Sequence, residues 1–112
     1  MRALPRIPPY RNAIEPLVTE EVERQLRRLP SHLAQYIDPI QVTAYALNRL
    51  PALYATSEEG WRRQQSRAKA ELGKQIAVAV RQAFAAVQKD PLKTTTPLKL
   101  RGSLEDYRRV KL

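Results

Sequence analysis

Arginine and aromatic side chains are concentrated between residues 54 and 67 of this 112-residue sequence. Arg63 and Arg67 are four positions apart, so on a helix they share one face, with Arg62 beside them. Guanidinium forks on a rigid helix can grip phosphates or the O6 and N7 edge of guanine, and their planes also stack on bases. Tyr54 and Trp61 can stack a purine. The residue types and their spacing therefore suit a site for a phosphate-bearing nucleotide.

The same residues also have an ordinary structural interpretation. Arginines on an exposed helix face are commonly only solvated, Trp61 falls on the apolar stripe of its helix, and Tyr54 can pack beneath a loop. Further basic and aromatic groups, Arg6, Tyr10 and Arg11, lie near the N-terminus. Spacing alone leaves both interpretations open.

The charge balance favours an anionic partner. The formal net charge is +9 and the pI is near 10.4, which suits nucleic acid, a nucleotide or a membrane surface without choosing among them. No apolar run approaches the roughly 20 residues needed to cross a bilayer. The N-terminal segment "MRALPRIPPYRN" lacks the apolar core of a signal peptide. We therefore expect a soluble, cytoplasmic protein that is not embedded in a membrane.

Catalytic and metal-binding groups are sparse. The absence of cysteine excludes disulfides, thiolate metal sites and thiol catalysis. His32, the single histidine, has no carboxylate at ligand spacing, so a zinc site lacks its components. Glu58 and Glu59 are adjacent on a helix and point about 100° apart, so they do not converge as an acid and base pair. Since nucleophile, P-loop and dinucleotide motifs are also missing, we expect neither an enzyme nor a bound cofactor.

Hydrophobic periodicity predicts an all-α fold. A small helical domain at residues 12–89 is expected between an extended basic arm at 1–11 and a weakly ordered basic tail at 90–112. No stretch alternates between apolar and polar residues as a β-strand with one buried face does, so no strand is predicted.

The first two helices carry recognisable boundary signals. Asn12 has the position of an N-cap, with Glu15 three residues later as in a capping box, and Pro30 ends this helix. The second helix begins at the Asp38-Pro39 pair and stops at the next proline. Its buried stripe is predicted to comprise Ile40, Ala44, Leu47 and Leu50.

The third helix is predicted to be one long C-terminal helix, from a cap at Ser57 to about Lys89. The two short helices before it cannot cover half of a helix this long. A second copy of the protein would cover the rest, so a homodimer is predicted. Gly73 costs about 1 kcal/mol relative to alanine in a helix interior, so it is expected to mark a close crossing.

A nine-residue string spans the end of the second helix and the loop after it. It reads A-L-N-x-L-P-x-x-Y, from Ala46 through Asn48 and Pro51 to Tyr54. Together with "NAIEPLVTEEVERQL" and "DPIQVTAYALNRLPALYATSEEGW", this string resembles the signature of the ComFB family of late-competence proteins. The resemblance covers roughly residues 10 to 90, and the string is unusual enough to be fairly specific.

The sequence departs from one branch of that family. Many of its Firmicute members carry a cysteine cluster before the second helix that looks like a zinc site, whereas "SHLAQYI" stands here, so zinc is not carried over. The cysteine-free form is similar to the cyanobacterial branch, the CdgR-type cyclic di-GMP receptors linked to cell size, competence and motility. Those members are dimeric and all-helical. The resemblance thus implies a homodimeric second-messenger receptor that relays ligand level to a regulatory protein partner.

With cyclic di-GMP as the implied ligand, the arginines and aromatics become candidate contacts. The candidate ligand-binding residues are Arg6, Tyr10, Arg11, Asn48, Tyr54, Arg62, Arg63 and Arg67. The alternative is a basic nucleic-acid-binding protein, which the arm and tail favour and which the acidic run "TEEVE" and the lack of a helix-turn-helix pattern oppose. A purely structural adaptor is a third interpretation.

Overall fold

The computed structural model describes residues 9–88, which form five helices and one pair of two-residue strands. Helices α1, α3 and α5 pack against one another, while α4 contacts β2 and α5. The predicted tail lies outside the described residues, as does most of the predicted arm. Over the described range no helix is long and apolar enough to cross a bilayer. In chain order the elements are β1 (Arg11–Asn12), α1 (Glu15–Arg27), α2 (Ser31–Ala34), α3 (Pro39–Leu47), β2 (Tyr54–Ala55), α4 (Glu58–Glu71) and α5 (Gly73–Gln88).

One apolar cluster, supplied mainly by α1, α3 and α5, forms the core. On α5 the buried positions recur every three or four residues, so one stripe of this helix faces α1 and α3. Helices of the same chain therefore cover the apolar stripe of α5 that was expected to need a second copy of the protein. The homodimer stays a prediction, but an uncovered stripe no longer supports it. The buried members are Ala13, Ile14, Leu17, Val18, Val22, Ile37, Val42, Ala46, Leu53, Ala68, Ile76, Ala79, Val80, Ala83 and Phe84.

Helix α1 begins two residues later than predicted, because Asn12 is not its N-cap. Asn12 lies in β1, and its side-chain Oδ1 accepts hydrogen bonds from the backbone N–H groups of Leu53, at 2.8 Å, and Ile14, at 3.3 Å. The oxygen that a capping box requires is thus engaged across 41 residues of chain. The helix instead starts at Glu15, with Ile14 at the N-cap position and no side-chain cap.

Helix α3 starts where predicted but buries a different face. Asp38 caps it, with its carboxylate accepting from the Ile40 N–H at 2.9 Å. Ile40 is nevertheless 79% exposed, and the buried positions are Val42 and Ala46. Because almost every residue of this short helix is apolar, hydrophobic periodicity could not show which face would be buried. The segment before it contains the single helical turn α2.

The predicted long third helix is divided at Leu72. Helix α4 ends at Glu71 and α5 begins at Gly73, with Leu72 at φ −115° and ψ 7° between them. Hydrogen bonds still run from the Leu72 N–H to Ala68 and from the Ile76 N–H to the Leu72 carbonyl. The interruption is therefore local, next to a glycine that holds a helix poorly. Apart from its chain neighbours and the backbone of its own helix, no described atom lies within 4 Å of where a Cβ of Gly73 would be, so the predicted close crossing is wrong within the described residues.

The strand pair is the element that sequence patterning missed. Strands β1 and β2 are antiparallel, with Arg11 opposite Ala55 and Asn12 opposite Tyr54. The Ala13 N–H extends the ladder by donating to the Leu53 carbonyl at 2.8 Å. The pairing joins the start of the described chain to the loop that precedes α4.

A polar link joins α1 to α5. Glu21 accepts hydrogen bonds from Arg24 Nε at 2.9 Å and from Gln25 Nε2 at 2.7 Å, and the same amide donates to the Ala77 carbonyl at 3.1 Å. The hydrogen bond from Arg24 holds the pKa of Glu21 below its ordinary value of 4.5, with Gln25 adding to this effect and partial burial opposing it.

Removing the Asn12 amide should destabilise the fold. In Asn12→Ala the Leu53 N–H loses its partner while partly buried, which costs about 1–3 kcal/mol. Asn48→Ala is the matched control, because Asn48 is exposed and such changes usually stay within about 0.5 kcal/mol. Urea unfolding followed by circular dichroism measures both variants. Equal midpoints for the two would show that the Asn12 contact contributes little.

Acid should weaken the fold partly through Glu21. A carboxylate whose folded pKa is depressed contributes stability that is present above its unfolded pKa and is lost as the pH falls through the folded value. We therefore expect the parent to lose more stability between about pH 5 and pH 3 than Glu21→Gln does. Glu23→Gln, at an exposed position on the same helix, should lose as much as the parent. Thermal melts across this pH range compare the three proteins. If the melting temperatures of all three fall equally with pH, Glu21 makes no such contribution.

Candidate functional site

Strand pairing brings together aromatic and basic side chains from the start and the middle of the domain. Tyr10 and Tyr54 meet edge to face, with ring centroids 5.6 Å apart and planes at 76°. Both rings are about half exposed, at 49% and 56%. Beside them, Cζ of Arg11 lies 4.9 Å from the centre of the Trp61 ring, a cation–π distance. Two residues before α1 and two around the start of α4 thus form one surface.

The turn between β2 and α4 is held by a local cap. The Ser57 hydroxyl accepts from the Gly60 N–H at 3.0 Å, as predicted for an N-cap. A Cβ at Gly60 would lie only 3.0 Å from that hydroxyl oxygen, so glycine leaves room for the cap. The turn at residues 55–57 is consequently fixed relative to the first residues of α4.

A cavity of about 520 Å³, which we call the Arg11 cavity, is lined in part by this turn. It combines a guanidinium, two aromatic rings, three hydroxyls and one carboxylate, so it offers stacking surface as well as donors and acceptors. Its lining residues are Pro9, Tyr10, Arg11, Ala55, Thr56, Ser57, Glu58 and Trp61.

A second cavity of about 430 Å³, which we call the Arg63 cavity, shares residues 55–57 with the first. Its lining includes two guanidinium groups, an amide and a tyrosine, a set that suits an anion attached to a planar ring. The lining residues are Tyr54, Ala55, Thr56, Ser57, Gly60, Arg63, Gln64 and Arg67.

The cations of both cavities are only lightly engaged. Arg67 Nε lies 3.7 Å from the carboxylate of Glu71, and both side chains are more than half exposed, so this pair contributes little stability. Among residues 9–88 no acidic side chain pairs with Arg63 or Arg11. An anion entering either cavity would therefore not have to break a strong ion pair.

The structure gathers some of the predicted site residues and separates others. Tyr10 and Arg11 line the Arg11 cavity, and Tyr54, Arg63 and Arg67 line the Arg63 cavity. Arg62 is exposed on α4 and Asn48 is exposed at the C-cap of α3, and neither lines these two cavities. Arg6 lies outside the described residues.

Several lining residues were not among the predicted contacts. Of the polar ones, Thr56 and Gln64 carry no distinctive spacing in the sequence. Glu58 was considered only as half of an acid and base pair, since its place in the Arg11 cavity depends on the unpredicted strand pair. In the part of the chain that the structure describes, no group of three or more histidine, cysteine or acidic side chains is arranged to hold a metal ion.

Comparison with known proteins identifies the family. The model of a family described as late competence development protein ComFB matches residues 11–91. No curated protein matches the chain. The match begins at β1 and takes in every helix of the described fold, including both cavities except for the first two residues of the Arg11 cavity. Because it covers well over half of the sequence, the chain belongs to the ComFB family.

Proposed function

We propose that this protein is a receptor for cyclic di-GMP. The observation that carries the proposal is that Arg63 and Arg67 line one cavity together with Tyr54. The resemblance to the cyanobacterial branch of the family suggests the ligand, and the cavity supplies suitable chemistry for it. The runner-up, a nucleic-acid-binding protein, has the support of the net charge and of the basic arm and tail.

Cyclic di-GMP requires two kinds of contact, one to its phosphates and one to its guanines. Arginine forks match the geometry of phosphate oxygens, and their planes, like those of tyrosine and tryptophan, stack on purines. The Arg63 cavity is lined by two guanidinium groups from the second and third turns of α4, and the Arg11 cavity, which shares residues 55–57 with it, offers stacking surface. The ligand's phosphate charge is favoured further by the net charge of +9.

The receptor acts by binding and not by catalysis. Its sequence lacks nucleophile, P-loop and dinucleotide motifs. A receptor without chemistry of its own has to pass ligand occupancy to another molecule, which we propose is a regulatory protein in the cytoplasm. Regulation of cell size, competence or motility is the kind of output that the resemblance implies.

Homodimerisation is part of the proposal and rests on the resemblance. The single chain already covers the apolar stripe of α5, so the dimer does not follow from an uncovered core. Helix α4 is the element with most surface left for a partner, because Ala68 is its only buried residue.

Alanine at Arg63 or Arg67 should weaken binding of cyclic di-GMP. Each substitution removes a charge-assisted hydrogen bond worth about 1.5–3 kcal/mol, which is roughly ten- to hundredfold in affinity. Lysine at either site should restore only part of the loss, because an ammonium does not reproduce the planar fork. Calorimetric titration measures these affinities, and circular-dichroism melts confirm that the exposed positions tolerate the change.

Two controls separate a specific site from general electrostatics. Arg81→Ala removes the same charge from an exposed position on α5 outside both cavities and should bind as the parent does. Random duplex DNA, titrated over a salt series, should bind weakly and lose affinity steeply with salt. Parent-like affinity in both Arg63→Ala and Arg67→Ala, or binding of DNA without binding of cyclic di-GMP, would overturn the proposed site.

The oligomeric state can be measured directly. Light scattering at micromolar concentration should give about twice the 12.9 kDa mass of one chain. A mass of one chain, with and without cyclic di-GMP, would contradict the homodimer. Ile76 is unsuitable for a dimer-breaking variant, since it is buried in the core of the single chain and a charge there would unfold it.

A further inference from the structure

A third cavity, of about 320 Å³, is lined by the two residues that follow the C-cap of α3 and by residues of α5. We call it the Lys74 groove. It shares no lining residue with the Arg11 and Arg63 cavities, so the proposed function does not use it. Its lining residues are Arg49, Leu50, Lys74, Gln75, Val78, Ala79 and Gln82.

One side of the Lys74 groove is a stripe along α5. Lys74, Val78 and Gln82 recur every four residues, so they lie one above another on the same helix face. Eight residues of α-helix rise about 12 Å, which is slightly more than two helical turns. The stripe is therefore long enough to contact two turns of a second helix laid along it.

Apolar side chains in the Lys74 groove are only partly covered. Val78 is 39% exposed although it lies in the middle of a helix. Leu50, which lines the same groove, is half-buried, and its backbone N–H donates to the Leu47 carbonyl at 3.3 Å. Covering such apolar surface with the apolar side chains of a partner is favourable, because it removes both surfaces from water.

The charge in the Lys74 groove is of one sign only. Arg49 and Lys74 line it, and no aspartate or glutamate does. Within residues 9–88 neither cation forms an ion pair with an acidic side chain. Cζ of Arg49 lies 3.8 Å from the centre of the Tyr45 ring, a stacking contact that orders the guanidinium without neutralising it. The groove thus combines positive charge with partly exposed apolar surface.

We infer that the Lys74 groove binds an acidic amphipathic helix of a partner protein, with the partner's apolar side chains against Leu50 and Val78 and its carboxylates beside the two cations. An apolar helix face laid in a groove supplies affinity, and complementary charge selects the partner and its register. Nucleic acid would also meet the two cations, but its phosphates would leave the apolar side chains of the groove without a counterpart. This partner has the chemistry we assign to the regulatory protein, yet its binding does not require cyclic di-GMP.

The test uses a designed peptide of about 15 residues, a length at which an isolated helix begins to persist in water. The peptide carries leucines at positions i, i+3, i+4 and i+7 and glutamates on both sides of that stripe. Fluorescence anisotropy of the labelled peptide, at physiological ionic strength and without cyclic di-GMP, measures its binding to the full chain. We expect the parent to bind it, and to bind a version with alanine in place of leucine at least about tenfold more weakly.

Lys74→Glu tests whether the peptide binds in the groove. A glutamate suits the first turn of α5, because the helix dipole favours negative charge there, so the variant should fold. Repulsion between this glutamate and the peptide's carboxylates should weaken binding at least about tenfold. Lys69→Glu is the matched control: it makes the same charge change at an exposed position of α4 that lines none of the three cavities, and it should bind the peptide more tightly than Lys74→Glu does.

Three results would overturn the inference. The first is a parent that does not bind the leucine peptide, and the second is equal affinity for this peptide in Lys74→Glu and Lys69→Glu. The third is equal affinity of the parent for the leucine and alanine peptides, since charge alone would then explain binding. Light scattering adds a further check: if Lys74→Glu converts a parent dimer to monomers, the groove belongs to a second copy of the protein and the inference is also overturned. None of these measurements involves cyclic di-GMP, so a failure here is distinguishable from a failure of the proposed function.

Discussion

The Arg11 cavity depends on the antiparallel contact between the start of the described chain and the loop after α3, and the same contact pairs the strand that carries Tyr54 of the Arg63 cavity. A pair of two-residue strands is too short to persist in water by itself. Here it is anchored at both ends, because Ala13 and Ile14 are fully buried after β1 and Leu53 is buried before β2. The side-chain oxygen of Asn12 adds a further link by accepting a hydrogen bond from the Leu53 N–H. Arg11 and Tyr10 are thereby fixed by the core, although they lie on the surface.

Three of the helices form the core, and a fourth, α4, carries most of the candidate site. Helices α1, α3 and α5 supply most of the buried residues, whereas α4 buries only Ala68. Helix α4 therefore relies on its Ser57 cap and first-turn acids more than on packing. A helix that contributes so little to the core is free to carry arginines and glutamines on most of its surface. That freedom is what allows Arg63 and Arg67 to face one cavity without disturbing the core.

Local signals in the sequence predicted the parts of this fold that have local causes. The caps at Asp38 and Ser57 are such parts, because each is decided within three residues. The helical class and the pairing of Arg63 with Arg67 on one face also followed from spacing. The strand pair could not be predicted, since two residues leave no alternation to read and Asn12 finds its partner 41 positions away. The buried face of α3 was predicted wrongly because almost every residue of that helix is apolar. The place of Glu58 in the Arg11 cavity was missed because Arg11 reaches that cavity only through the strand pair.

Weak engagement of the cations leaves this surface open to an anion. Neither Arg63 nor Arg11 has an acidic partner among the described residues. Arg11 is instead ordered by stacking on Trp61, which fixes the plane of its guanidinium without neutralising it. Such an arginine loses little conformational freedom when a ligand arrives, and it still offers its full charge.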